Sequence, residues 1–229
     1  MAYRYAIYWA PPRAHPLWRE GCAWLGRDPE TGEQSVPPLP AGMTAERHAA
    51  ITAEAARYGW HGTLKPPFRL ADGESQAGLD AAIRRFAAVQ APFTVERFAV
   101  RLLSGFVAVV PAERSAALDG LAAACVSAFD PFRAPPEPGE IARRQRAGLS
   151  PAQEANLARW GYPYVMEEFR FHLTLTGRLP VDEAKPLGEV LAGRFAGALA
   201  GPVRFDEIAL YVEPAPGAPF MLHRRYRFG

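Results

Sequence analysis

Two short stretches of this chain carry the residue types that acid–base chemistry at neutral pH requires. They are His61-Gly62-Thr63 and His172-Leu173-Thr174, each a His with a Thr two positions on. If each lies in a β-strand, alternation of side chains puts the His and the Thr on one face. In the first stretch His61, Thr63 and Lys65 then share a face. In the second Arg170, His172, Thr174 and Thr176 do so, opposite an apolar face of Phe169, Phe171, Leu173 and Leu175. Two imidazoles, two hydroxyls and nearby cations suit a phosphodiester. An imidazole with a pKa near ~6.5 serves as base for the nucleophile or as acid for the leaving oxygen. Hydroxyls and cations stabilise charge on the non-bridging oxygens. Taken singly, a His in a strand is more often structural, and His15, His48 and His223 are read that way. A zinc site is the rival for a paired His, with Glu167 or Glu168 as third ligand. Alternation puts only Glu168 on the face of His172, and nothing acidic adjoins His61, so no metal is expected.

The surrounding pattern explains how two such strands would meet. A strand at Trp60–Lys65 follows a helix capped by Thr44, and Ser75 opens the next helix, with Leu79, Ile83, Phe86 and Val89 at helical spacing. Pro92 then introduces strands at Phe93–Leu102 and Phe106–Val110. In the second half a helix at about Ala112–Phe129 comes first. A capping box at Ser150–Gln153 begins another, and the strand Glu168–Leu175 precedes a helix capped by Asp182. Pro202 introduces strands near Val203–Val212 and Pro219–Phe228, while the first strand of all is Tyr3–Ala10. The order His-x-Thr, helix, Pro, strand, strand occurs twice, which reads as an internal duplication. The fold expected is α+β: one bilobal domain over 1-229, with a lobe at about 44-111 and a lobe at about 150-229. Residues 20-43 and 130-149, rich in Pro, are expected to be loops or lids.

Composition narrows the setting. The chain has 229 residues, 49% hydrophobic and 22% charged, enough to bury a substantial core. Its net charge of +2 is too small for a surface that coats nucleic acid. Only Lys65 and Lys185 among 26 basic residues are lysines. Two cysteines, far apart, form no metal spacing. No signal-peptide pattern opens the sequence and no apolar run reaches the ~18 residues of a membrane span, so a cytoplasmic protein without membrane partners is expected.

The paired motifs in a duplicated chain resemble the 2H phosphoesterase superfamily. The flanks Tyr58-Gly59-Trp60-His61-Gly62-Thr63-Leu64-Lys65-Pro66-Pro67-Phe68, Arg159-Trp160-Gly161-Tyr162-Pro163-Tyr164-Val165 and Phe169-Arg170-Phe171-His172-Leu173-Thr174-Leu175-Thr176-Gly177 resemble its branch encoded in phosphonate-utilisation operons. The resemblance implies two antiparallel sheets forming a V-shaped cleft with helices outside, and His61, His172, Thr63 and Thr174 as catalytic residues. It implies hydrolysis of a cyclic phosphate or related phosphodiester without metal or cofactor, with His172 as base and His61 as acid; the motif geometry alone allows the reverse. A small sugar phosphate, such as a ribose 1,2-cyclic phosphate of phosphonate catabolism, is the substrate it suggests. RNA ends bearing 2′,3′-cyclic phosphates are an alternative, and capture of a phosphorylated metabolite without turnover is another. Lys65, Arg170, Tyr164 and Arg143 are the candidate substrate-binding residues. Arg143 belongs to a basic cluster with Arg144 and Arg146 that would lie over an anionic cleft as a lid. A monomer is expected.

Overall fold

The computed structural model describes residues 2–146 and 148–229. Its strands are β1 (Arg4–Trp9), β2 (Gly62–Phe68), β3 (Phe93–Val95), β4 (Phe98–Leu103), β5 (Phe106–Pro111), β6 (Leu173–Thr174), β7 (Val203–Phe205), β8 (Glu207–Glu213) and β9 (Met221–Arg227). Helices are α1 (Pro16–Leu25), α2 (Ala45–Tyr58), α3 (Gln76–Ala87), α4 (Ala116–Ala128), α5 (Pro138–Gln145), α6 (Pro151–Trp160) and α7 (Val181–Phe195). Seven strands form one sheet in the order β4-β5-β6-β2-β1-β8-β9, and β3 pairs with β7 in a separate ladder; every pairing is antiparallel. The class is α+β.

The seam of the large sheet is narrow. β2 and β6 pair through Gly62 and Leu173 alone, while the β4–β5 hairpin and the β1–β8 pair are long. Gly62 and Leu173 each follow the His of their motif, so the two equivalent strands meet at equivalent residues. The same holds for β3 and β7, centred on Thr94 opposite Arg204, each two residues after its Pro. Self-pairing of equivalent positions is what a pseudo-twofold axis produces.

The two repeats do not each fold on themselves. β2 of the first lies beside β1, which in turn pairs with β8 of the second, while β6 of the second lies beside β5 of the first. The equivalent helices cross over as well: α3 packs on β8 and β9, and α7 on β4 and β5. The spatial halves of the sheet are therefore β4-β5-β6 and β2-β1-β8-β9, not the segments 44-111 and 150-229.

Several local expectations change. Residues 20-43 are partly α1, which begins upstream at Pro16 and is capped by the His15 ring accepting from the Leu17 amide at 3.1 Å. Within 130-149 lie a 3₁₀ turn at Asp130–Phe132 and α5. The strand expected at 168–175 shrinks to β6, after a 3₁₀ turn at Met166–Glu168. α7 starts after Pro180, with Asp182 inside its first turn rather than at its cap. The caps at Thr44, Ser75 and the Ser150–Gln153 box are present. Behind the seam, Trp9, Phe171, Phe93 and Phe98 converge on the Phe205 ring, giving the strands a common aromatic core.

Candidate active site

The antiparallel match of Gly62 with Leu173 sets Thr63 across from His172 and His61 across from Thr174. Opposite residues on neighbouring strands have Cβ atoms ~5 Å apart. Alternation sends Gly62 and Leu173 to the core and the four motif side chains to the other face. The ring of Phe171 fills the space beside Gly62, and a Cβ on that glycine would lie 2.2 Å from it. A larger residue there would push the seam apart.

Each imidazole is held the same way. Nδ1–H of His61 donates to the Gly59 carbonyl at 2.8 Å, and Nδ1–H of His172 donates to the Arg170 carbonyl at 2.7 Å. A carbonyl only accepts, so Nδ1 carries the proton in the neutral ring and Nε2 keeps its lone pair. The Thr63 hydroxyl donates to Nε2 of His61 at 3.1 Å. Among the described residues, Nε2 of His172 has no protein partner. Gly59 ends α2 at φ +77, and a Cβ there would meet Pro29 at 2.6 Å, so only glycine presents that carbonyl to His61.

Stacking fixes the rings further. Tyr8, in register with Thr63 on β1, lies face to face with His61 at 3.7 Å between centroids. Tyr211 and Tyr58 stand 5.9 and 6.4 Å from His61, and Phe106 5.4 Å from His172. Both imidazoles are half-buried. Burial, which disfavours the imidazolium, pushes His61 down to about 3, against the Gly59 carbonyl and with a smaller push from His172 nearby. Burial also lowers His172, with the Arg170 carbonyl opposing it. The free site therefore holds two neutral imidazoles at neutral pH.

The other candidates fare differently. Lys65 leaves the cleft, because β2 carries an extra residue after Thr63: Tyr8 pairs with Thr63 but Ile7 pairs with Lys65. This bulge breaks the alternation. Lys65 is 1% exposed, with Nζ donating to the Val126 carbonyl at 3.1 Å and 3.5 Å from Asp130. Arg170 is exposed and curls back onto the carbonyls of Glu167 and Phe169, so its backbone, not its guanidinium, serves the site. Arg143 is exposed, whereas its neighbour Arg144 lies over the Tyr162 ring at 4.6 Å. Tyr164 is 43% exposed and meets the Tyr162 ring edge-on at 5.8 Å. Thr176 is buried, accepting from the Val107 amide and donating to the Gly177 carbonyl. Tyr8 and Tyr58 escaped the sequence reading, since nothing local says which strand lies beside His61.

As for a metal, Glu168 accepts from Gln153 at 2.7 Å, and Glu167 is exposed. Among the described residues no three His, Cys, Asp or Glu side chains are grouped as a metal ion would need.

A family model described as "Protein of unknown function (DUF1045)" matches residues 63–221. The chain is 38% identical over 233 residues to the "Ribose 1,5-bisphosphate phosphokinase PhnN" of Janthinobacterium sp. (strain Marseille), covering 98% of this chain and 51% of that protein. It is 43% identical over 222 residues to the protein of the same name in Laribacter hongkongensis (strain HLHK9), covering 96% and 51%. It thus spans about half the length of these relatives. Among solved structures, a phosphoesterase overlaps 100% of this chain and 99% of its own at a TM-score of 0.48 and 14% identity. E. coli LigT complexed with 3′-AMP overlaps the same shares at 0.45 and 16% identity. Overlaps this loose establish no common activity.

Proposed function

Since the chain belongs to the DUF1045 family, we propose that it is a phosphodiesterase that opens the cyclic phosphate of a small phosphorylated sugar. The observation that carries this reading is the pairing of the two His-x-Thr motifs at Gly62 and Leu173, with both Nδ1 atoms tied to carbonyls, Nε2 of His172 without a protein partner and Nε2 of His61 held only by the Thr63 hydroxyl. In the reading, His172 takes a proton from water, whose oxygen attacks phosphorus. The bond from phosphorus to one ring oxygen breaks, and His61 gives that oxygen a proton; the product is a phosphate monoester with a free hydroxyl. Nε2 of His172, without a protein partner, suits the base. Once Nε2 of His61 is protonated it no longer accepts from Thr63, which frees that hydroxyl for a non-bridging oxygen. Thr174 supplies the equivalent donor. The substrate's own negative charge raises the depressed imidazole pKa and lets one ring take up the proton it needs.

The relatives' printed name concerns a kinase of ribose 1,5-bisphosphate. Neither lysine of this chain follows a glycine, so the phosphate-binding signature G-x-x-x-x-G-K-[ST] is missing from its sequence. Kinase chemistry is accordingly not proposed for this segment. A cyclic sugar phosphate, opened to a monoester, is a substrate that fits beside such a kinase.

The test is a panel of ribose-based and nucleoside 2′,3′-cyclic phosphates, with and without EDTA, followed by phosphorus NMR. Opening of a ribose cyclic phosphate that survives EDTA is expected. Preference for the nucleotides would move the substrate to RNA ends. Binding without turnover, or activity lost to EDTA and restored by zinc, would overturn the reading.

A further inference from the structure

The two imidazoles stand in unlike surroundings, although their motifs are equivalent. Among the described residues His172 has one aromatic neighbour, Phe106, at 5.4 Å and tilted by 57°. His61 has three, all tyrosines. Tyr8 lies parallel to it, with 3.7 Å between centroids and 15° between planes, while Tyr211 and Tyr58 are farther off and tilted. The stack follows from strand pairing. Tyr8 sits opposite Thr63, so His61 is its diagonal neighbour across the β1–β2 ladder, within reach of an aromatic side chain. On the other flank of β1, Tyr211 stands opposite the small Ala6 and packs 4.9 Å from the Tyr8 ring. The Tyr211 hydroxyl is in turn tied to the Trp60 carbonyl at 3.0 Å. Tyr8 itself is 1% exposed, so its ring is held where it is.

The face of a tyrosine ring carries negative charge density and attracts a cation, more strongly where water is excluded. A neutral imidazole gains little from such a face, and an imidazolium gains much. Among the described residues the titratable side chains that face His61 are Tyr8, Tyr58, Tyr211 and His172, and no carboxylate stands with them. The protein groups that favour its charged form are therefore the Gly59 carbonyl and the face of Tyr8. His172 has the matching carbonyl, from Arg170, and no parallel ring. Because burial holds free His61 at about 3, the charged form is scarce at neutral pH, and any group that favours it speeds a step that consumes it.

We propose that Tyr8 is a positioning residue that breaks the symmetry of the pair: its ring face stabilises the imidazolium of His61 and so makes that histidine, not His172, the acid that protonates the leaving oxygen. The proposal rests on the phosphodiesterase reading of the paired motifs, and it supplies a choice that the motifs alone leave open. Nε2 of His61 takes up its proton as the anionic diester binds. When the bond from phosphorus to the ring oxygen breaks, that proton passes to the oxygen and the imidazole returns to neutral over the Tyr8 ring.

A fluorination series at position 8 tests this without disturbing the core. Tyr8→Phe is its reference, and mono-, tri- and pentafluorophenylalanine then drain the negative face of the ring at nearly constant shape. Two substrates are compared, a ribose cyclic phosphate, whose leaving alkoxide needs a proton, and a nitrophenyl phosphodiester, whose leaving group does not. Tyr8→Phe should retain most of the turnover of both. Down the series kcat/KM for the cyclic phosphate should fall stepwise, by ~10-fold at the pentafluoro end, the scale of a desolvated cation–π contact. The nitrophenyl ester should be turned over throughout without such a gradient, and the same series at Phe106 should give no gradient with either substrate. A flat response of the cyclic phosphate, a loss shared equally by the nitrophenyl ester, or a full loss already in Tyr8→Phe, which would give the role to the hydroxyl, would each overturn the proposal. A wild-type protein that opens no cyclic phosphate defeats the phosphodiesterase reading itself; one that opens it without a gradient at position 8 defeats the role of Tyr8 alone.

Discussion

At the scale of single residues, the site is defined by what each imidazole cannot do. With Nδ1 committed to a backbone carbonyl and the charged form penalised by burial, His61 and His172 rest as neutral bases. Acid and base act in one step, so removing either should cost nearly everything. His61→Ala and His172→Ala should each lower turnover at least ~10²-fold, and the double variant should be scarcely worse. Near-additive losses would show that the two do not work as a unit. An activated leaving group such as a nitrophenolate should rescue His61→Ala far more than His172→Ala; the reverse pattern would exchange their roles. The pH dependence follows in sign. In the free protein the lowered pKa values make the singly protonated pair scarce at neutral pH, so kcat/KM should climb as pH falls below ~6.5. A bound phosphodiester anion favours the imidazolium, so the limb of kcat should lie at higher pH than that of kcat/KM. Coincident limbs in initial rates from pH 5 to 9 would contradict this account.

At the scale of elements, the bulge in β2 decides the fate of Lys65. Regular alternation would aim its ammonium at the substrate; one extra residue sends it beneath α4 instead, against Val126 and Asp130. Burial lowers its pKa to about 8, with Asp130 opposing. A cation there is a structural matter. Lys65→Met should keep turnover and cost little stability, since Asp130 retains Arg133 at 2.8 Å. Asp130→Ala should destabilise by up to ~3 kcal/mol, because it leaves a buried ammonium with only a carbonyl. Urea midpoints and turnover, measured on both variants, check this. A folded Lys65→Met protein that has lost activity would return Lys65 to the site.

At the scale of the whole molecule, the repeats are interlaced rather than adjacent. With α3 on the strands of the second repeat and α7 on those of the first, neither repeat has its own core. The 229-residue chain should therefore unfold in one transition by fluorescence and by circular dichroism, and segments 44-111 and 150-229 made separately should not fold. Two resolved transitions would mean that the halves are independent after all. Acid should also weaken the assembly through its histidines. A His whose folded pKa is depressed binds fewer protons folded than unfolded, so its contribution is intact above ~6.5 and is lost progressively as pH falls toward its folded value. For His61 that window runs down to about 3. Between pH 6.5 and 5, before most carboxylates protonate, His61→Gln should show a shallower fall in thermal midpoint than the wild type; an equal fall would place the linkage elsewhere, for instance in His48, which burial also lowers.

The amino-acid sequence by itself determined the repeated His-x-Thr order, the shared face of His and Thr within each motif, and the caps at Thr44, Ser75 and Ser150, because each is a matter of residue type at short spacing; the faces expected for Lys65 and Thr176 were not kept. Glycine at 62 was visible too, though not its reason, the ring of Phe171 from the other repeat. What only the tertiary structure decided is long-range. The partner strand of each motif and the stacking of Tyr8 on His61 depend on register between segments far apart in the chain. A one-residue shift in pairing exchanges the faces of a strand, and it moved Lys65 from the expected cleft to the core. Alternation is local and legible; register is set by the packing of the whole sheet.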